Sequence, residues 1–227
     1  MRLLSKVLRK ARGEIETSMT GQIGRIKGSI ADARSGRLMF LSHCILNQNA
    51  CVRGLASQPA VIREIVDLLL ENEVAFFQMP CPEVSYIGSQ RWGQTKQMYG
   101  SPMFHRHCRK IAEYVCDQAQ TYLDSGHDVI GFVMRDGSPT CGLRCAAVSA
   151  DEEQVWGGMV WNACPLQRFG DTPGVFTEEL MAEREQRGLT RVPLFSLPEV
   201  EEAGSFQERL EEIRRAILGA AAVIPPG

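Results

Sequence analysis

Three cysteines, Cys44, Cys81 and Cys141, each stand where a short apolar run breaks into a loop. Residues 37–42 run into His43-Cys44. Residues 74–78 run into Met79-Pro80-Cys81-Pro82-Glu83, and residues 129–134 run towards Asp136-Gly137-Ser138-Pro139-Thr140-Cys141-Gly142. Apolar runs bounded by turn residues read as buried strands. The prolines around Cys81 fix their own φ and donate no backbone hydrogen bond, so Cys81 and Glu83 are held on a stiff turn. If the strands lie parallel and side by side, the three thiols gather along one carboxyl edge, where open α/β sheets bind ligands.

Such a set suits a metal centre. Zinc-binding knuckles use close pairs of ligands, and three cysteines without a histidine or carboxylate are an unusual catalytic zinc set. A cubane iron-sulfur cluster ordinarily takes four cysteines; with three, one iron keeps an exchangeable position and becomes a Lewis acid for a soft substrate atom. Glu83 would be the acid or base beside such a centre, and Ser138 would orient water or substrate. The plainer alternatives are a buried apolar role for the thiols, a loop-capping carboxylate and a Ser-Pro turn.

The other candidates receive structural readings. Alternation along a strand turns His43 away from Cys44. His105 and His107 stand two apart on a helix, face apart and read as surface. Cys51, Cys108, Cys116 and Cys164 read as structural, with Cys145 a reserve ligand.

A chain of 227 residues with 44% hydrophobic content can bury one substantial core. The net charge of -2 gives no overall attraction to nucleic acid or anionic lipid, so a small molecule is the expected partner. Eight cysteines without a secretory leader predict reduced thiols in a cytoplasmic protein, and no run is long enough to span a membrane. Residues 1–36 carry eight Lys or Arg against three acids and read as a basic, mobile extension, with Leu3, Leu4, Val7, Leu8 and Ala11 on a short amphipathic helix. Residues 37–227 read as one domain.

Helices are expected from Pro59, over 104–125, 178–188 and 205–218, with a fourth strand over 192–197 and a strand or flanking loop over 157–161. The segment Arg91-Trp92-Gly93 reads as a pocket wall. Strands alternating with helices predict an α/β fold, a mainly parallel sheet flanked by helices in a Rossmann-like arrangement.

At Cys44-Ile45-Leu46, Cys81-Pro82-Glu83-Val84 and Ser138-Pro139-Thr140-Cys141-Gly142, the chain resembles the thiouracil desulfidase family and its desulfidase-like relatives. The resemblance covers roughly residues 37–145. It implies that Cys44, Cys81 and Cys141 hold a 4Fe-4S cluster, that Glu83 and Ser138 are catalytic, and that a thiolated nucleobase loses its sulfur as sulfide without redox change. The chain departs from the family at Asn47, at Cys51-Val52-Arg53-Gly54 and at residues 86–93, so the pocket around the cluster motifs differs. The rival readings are a non-catalytic iron-sulfur redox or iron sensor, and a zinc hydrolase using Cys141, Cys145 and another thiol.

Overall fold

In the run Leu38-Met39-Phe40-Leu41, successive side chains must point to opposite faces, and both faces are apolar, the pattern of a strand covered on both sides. A computed structural model describes residues 13, 15–23, 32–149 and 167–221. Its strands are β1 (Arg37–Leu41), β2 (Ala75–Gln78), β3 (Asp128–Asp136), β4 (Ala146–Ser149), β5 (Gln167–Gly170) and β6 (Leu194–Pro198). Its helices are α1 (His43–Leu46), α2 (Arg63–Glu71), α3 (Pro82–Ile87), α4 (Lys96–Tyr99), α5 (Pro102–Asp124), α6 (Val175–Gln186) and α7 (Phe206–Ala221). The main sheet is wholly parallel, in the order β2-β1-β3-β6; β4 and β5 form a separate antiparallel pair. The fold is the expected α/β arrangement.

Leu38 and Phe40 join Phe132 and Met134 on one face, where Phe104, Ile111, Val115 and Cys116 of α5 and Phe176 and Leu180 of α6 cover them. Met39 and Leu41 join Val133, Phe195 and Leu197 on the other, beneath Ile65, Leu68 and Leu69 of α2 and Ile213 and Ile217 of α7. The register slips between Leu38 and Met39, opposite Val129 and Gly131, so Ile130 is an extra residue. This bulge explains how Ile130 and Val133 face the same way although three positions separate them.

Two expectations need correction. The strand before Cys81 is not buried: β2 is the sheet's edge, and Phe76 is 38% exposed. The helix expected from Pro59 starts at Arg63, because Ala60 O accepts from Gln48 N (2.7 Å) and Ile62 N donates to Ile45 O (2.8 Å), tying this stretch to the preceding loop.

Residues 36–227 form one compact unit and residues 1–35 another. In the smaller unit, residues 15–23 are helical, with Ile15, Met19 and Ile23 exposed. The amphipathic stretch read over Leu3–Ala11, the strand or loop read over 157–161, and Cys164 lie outside the described residues. Among the described residues, no helix is long and apolar enough to cross a membrane.

Candidate functional site

From β1 the chain crosses over α2 to β2 on one side, then over α5 to β3 on the other, and the two helices cover opposite faces. The sheet's winding therefore reverses at β1, and the carboxyl ends of β1 and β3 flank the crevice where such folds bind ligands. Cys44, Cys81 and Cys141 all line a cavity of about 270 Å³ there, together with Glu83 and Ser138. All five residues singled out from the sequence share this one space.

Each thiol is carried by its own device. Beyond β1 the chain turns at Ser42, whose hydroxyl donates to Val133 O (3.1 Å), and Cys44 sits in the single turn of α1. Cys81 is the N-cap of α3: its sulfur accepts from Val84 N (3.4 Å), and Pro82 occupies the first turn, where no amide donor is needed. Cys141 lies on a loop that folds back so that its carbonyl accepts from Arg135 N (2.9 Å). Ser138 Oγ accepts from Cys141 N (3.1 Å) and Thr140 N (3.3 Å), so this hydroxyl caps the turn as well as facing the cavity.

The amino end of α6 grips the same loop. Gly174 N donates to Gly142 O (2.8 Å), Val175 N to Pro139 O (3.1 Å) and Phe176 N to Thr140 O (2.9 Å). A Cβ on Gly174 would lie 2.4 Å from Thr140 C and 2.5 Å from its oxygen, both backbone atoms. Gly174→Ala is accordingly predicted to destabilise the protein by about 2–4 kcal/mol, since loop and helix must separate to admit the methyl group. Urea denaturation checks this, and an unchanged midpoint would contradict the packing described.

Glu83 is buried and fully engaged. Its carboxylate accepts from Arg91 Nε (2.7 Å) and from Thr140 Oγ1 (2.8 Å), and the Ser138 hydroxyl lies 3.3 Å from that of Thr140. A chain of polar contacts thus links Arg91, Glu83, Thr140 and Ser138 across two loops. Arg91 also donates to Ala50 O (2.8 Å), and Arg91, Gly93 and Gln94 form the wall expected of that segment. Burial, then the charge of nearby Glu83, raises the pKa of the Tyr99 hydroxyl.

Sequence reasoning missed Cys51, Arg135 and Glu199, which also line the cavity. Cys51 reads as structural from its loop, yet it borders the same cavity as Cys44. The neighbouring Cys51 thiol, followed by burial, holds the Cys44 thiol well above its usual range, while Cys44 in turn makes Cys51 the more acidic of the two. Burial first, then Glu83, pushes Cys81 up to about 11. Burial, then the neighbouring Cys81 and Cys44, raises Cys141 strongly. Burial also raises Glu199, against the pull of the Arg135 guanidinium. Without a cation in the cavity the buried thiols therefore favour their neutral forms. The second cysteine seven residues after Cys44 and the Arg135-Asp136 pair ending an apolar run were the available signals; Glu199 had none.

The remaining candidates lie elsewhere. Cys145 points its sulfur at Ala203 O (3.8 Å), and neither it nor His43 lines the cavity. His43 belongs to a helical turn, not to an alternating strand. His105 and His107 are half-buried, the first bonded to Glu179 (2.8 Å) and the second to Ser85 (2.9 Å), which corrects their reading as surface. Cys108 and Cys116 lie on the buried face of α5, in the core.

Among the described residues, no three His, Cys, Asp or Glu side chains converge closely enough to hold a single metal ion. The thiols instead stand around the cavity. A cubane takes its thiolates on separate irons, so a soft donor set spread around a small buried space fits such a cluster.

Fold and site together define a doubly wound α/β protein with a thiol-lined pocket at its switch point. The chain is 35% identical over 107 residues to the uncharacterized protein MJ0003 of Methanocaldococcus jannaschii, a match covering 47% of this chain and 68% of the archaeal one, and it belongs to that protein's family. No family model matches the chain. No solved structure matches it.

Proposed function

We propose that the protein binds a 4Fe-4S cluster through Cys44, Cys81 and Cys141 and removes sulfur from a small thiolated compound, such as a thiouracil-like nucleobase, releasing it as sulfide. The observation that carries this reading is the meeting of three thiols, from the loops after three adjacent parallel strands, with a buried carboxylate in one cavity. The resemblance of the same motifs to thiouracil desulfidases supports it. The cluster would supply an iron able to take a thiocarbonyl sulfur, soft metal matched to soft donor.

The protein's own residues do the rest. Glu83, fixed by Arg91 and Thr140, takes a proton from a water attacking the thiocarbonyl carbon. Ser138, at the far end of that polar chain, orients the water or the substrate. A carbon–oxygen bond forms, the carbon–sulfur bond breaks, and the sulfur departs as sulfide with its electron pair, so no oxidant or reductant is consumed. Ligation by free thiols requires a reducing surrounding, in keeping with a cytoplasmic protein whose partner is a small molecule and not nucleic acid.

A non-catalytic iron-sulfur sensor is the second reading, favoured by the presence of a fourth thiol, Cys51, at the cavity. Purification without oxygen, followed by iron and sulfide analysis, tests the cluster itself. Incubation with thiolated bases then separates the two readings: released sulfide supports the desulfidase, and its absence with an intact cluster overturns that activity.

A further inference from the structure

Four thiols border the cavity, because Cys51 lines it beside Cys44, Cys81 and Cys141. Cys51 follows the 3-10 turn Gln48–Ala50, and its loop is pinned on both sides. Gln48 donates to Cys44 O (2.7 Å) and accepts from Ser57 N (3.0 Å), while Ala50 O accepts from Arg91 Nη2 (2.8 Å). A loop tied at these points keeps Cys51 at the wall of the cavity that Cys44 also lines.

A second observation concerns charge. Arg135 is 1% exposed and lines the same cavity; it donates to Pro198 O (2.5 Å), but among the described residues its Nε is buried without a hydrogen-bond partner, as is Nη1 of Arg91. Among the described residues, Arg135 forms no ion pair with a carboxylate. Glu199 borders the same cavity and feels the Arg135 charge without reaching ion-pair distance, so an anionic occupant of the cavity would further offset the cost of burying the guanidinium. A 4Fe-4S core ligated by four thiolates carries a net negative charge.

We infer that Cys51 is the fourth thiolate ligand of the resting centre, closing the corner that Cys44, Cys81 and Cys141 leave free, with Arg135 and Arg91 set against the resulting negative charge. This rests on the reading that the other three thiols hold a cluster. Cys51 loses its thiol proton to solvent on ligation, as every cysteine ligand must. Sitting on a polar loop and not at a strand end, it is also the ligand that gives way to a substrate sulfur, taking a proton back as it leaves.

The test uses the full chain and its Cys51→Ala and Cys51→Ser variants, each reconstituted without oxygen from ferrous iron and sulfide, with folding checked by circular dichroism. Iron and sulfide are counted, and each sample is treated with ferricyanide and examined by electron paramagnetic resonance for the 3Fe-4S signal left when a labile iron is lost. The expected result is about four irons per chain in the parent and in Cys51→Ala, with a several-fold stronger 3Fe-4S signal in the variant. Equal signals from parent and variant, with the cluster otherwise intact, would overturn the role of Cys51 and leave the three-thiol reading standing. Absence of iron and sulfide from the parent as well would overturn both.

Discussion

Replacing Cys81 by alanine is expected to give a folded, colourless protein with little or no iron, where the parent chain prepared without oxygen holds about four irons. The fold should survive because the sulfur does little structural work: it accepts one long bond from Val84 N at 3.4 Å. Loss of an N-cap costs roughly 0.5–2 kcal/mol, and a sulfur acceptor belongs at the low end. That is a small part of the about 5–15 kcal/mol by which domains are stable, and Pro80 and Pro82 still stiffen the turn. The proposed centre, by contrast, would lose the thiol that the loop after β2 brings to the cavity. Cys145→Ala is the control, since its sulfur faces Ala203 and not the cavity, and it should keep its iron and sulfide. Full metal content in Cys81→Ala would end the proposal, and loss of it in Cys145→Ala would redraw the ligand set.

The thiols could be found from sequence because each is announced by local chemistry: an apolar run, then a break made of Pro, Gly, Asn or Asp. Alternation of strands with helices then implied a parallel sheet, and a parallel sheet brings strand ends to one edge. What local pattern could not supply was lateral order. Periodicity does not distinguish an edge strand from a central one, so β2 read as buried although, among the described residues, only β1 pairs with it. Nor could it supply contacts made by register: β3 pairs with β6 so that Asp136 faces Pro198, which carries Glu199 to the cavity from more than sixty residues away in the chain.

Arg135 eluded the reading for a related reason. Arginine at the end of an apolar run ordinarily marks the point where a strand meets water, and only the covering of β3 by β6 and the loop beyond it makes this guanidinium a buried one. Cys51 sits in a polar loop whose direction is set by the Gln48 and Arg91 bonds, the second formed across 41 positions of sequence. Cys145 shows the opposite failure. Its spacing from Cys141 imitates a ligand pair, but the intervening turn sends its sulfur towards Ala203.

Glu83→Gln is expected to keep the cluster and lose turnover, because the substitution changes charge with almost no change of shape. The amide oxygen can still accept from Arg91, which turns the amide nitrogen towards Thr140 in place of the carboxylate oxygen 2.8 Å away. The Thr140 hydroxyl then accepts from that nitrogen and redirects its own proton to Ser138 Oγ or to the Cys141 sulfur, 3.3 and 3.6 Å distant. Each hydrogen bond that Glu83 makes to Arg91 and Thr140 is thus replaced, although Arg91 is left as a buried cation without its anion. Breaking such a pair outright costs about 3–5 kcal/mol, and the surviving hydrogen bond should hold the loss towards or below the lower figure. None of the thiols is touched, so iron and sulfide content should match the parent. An amide cannot take the proton of an attacking water, and loss of a general base typically lowers kcat by about 10²–10⁴-fold. If Glu83 acts in the chemical step, the fall should appear in kcat, with KM nearly unchanged, when sulfide release is followed against substrate concentration. Undiminished kcat in a cluster-loaded Glu83→Gln protein would reduce Glu83 to a strut between Arg91 and Thr140 and leave proton transfer to another group.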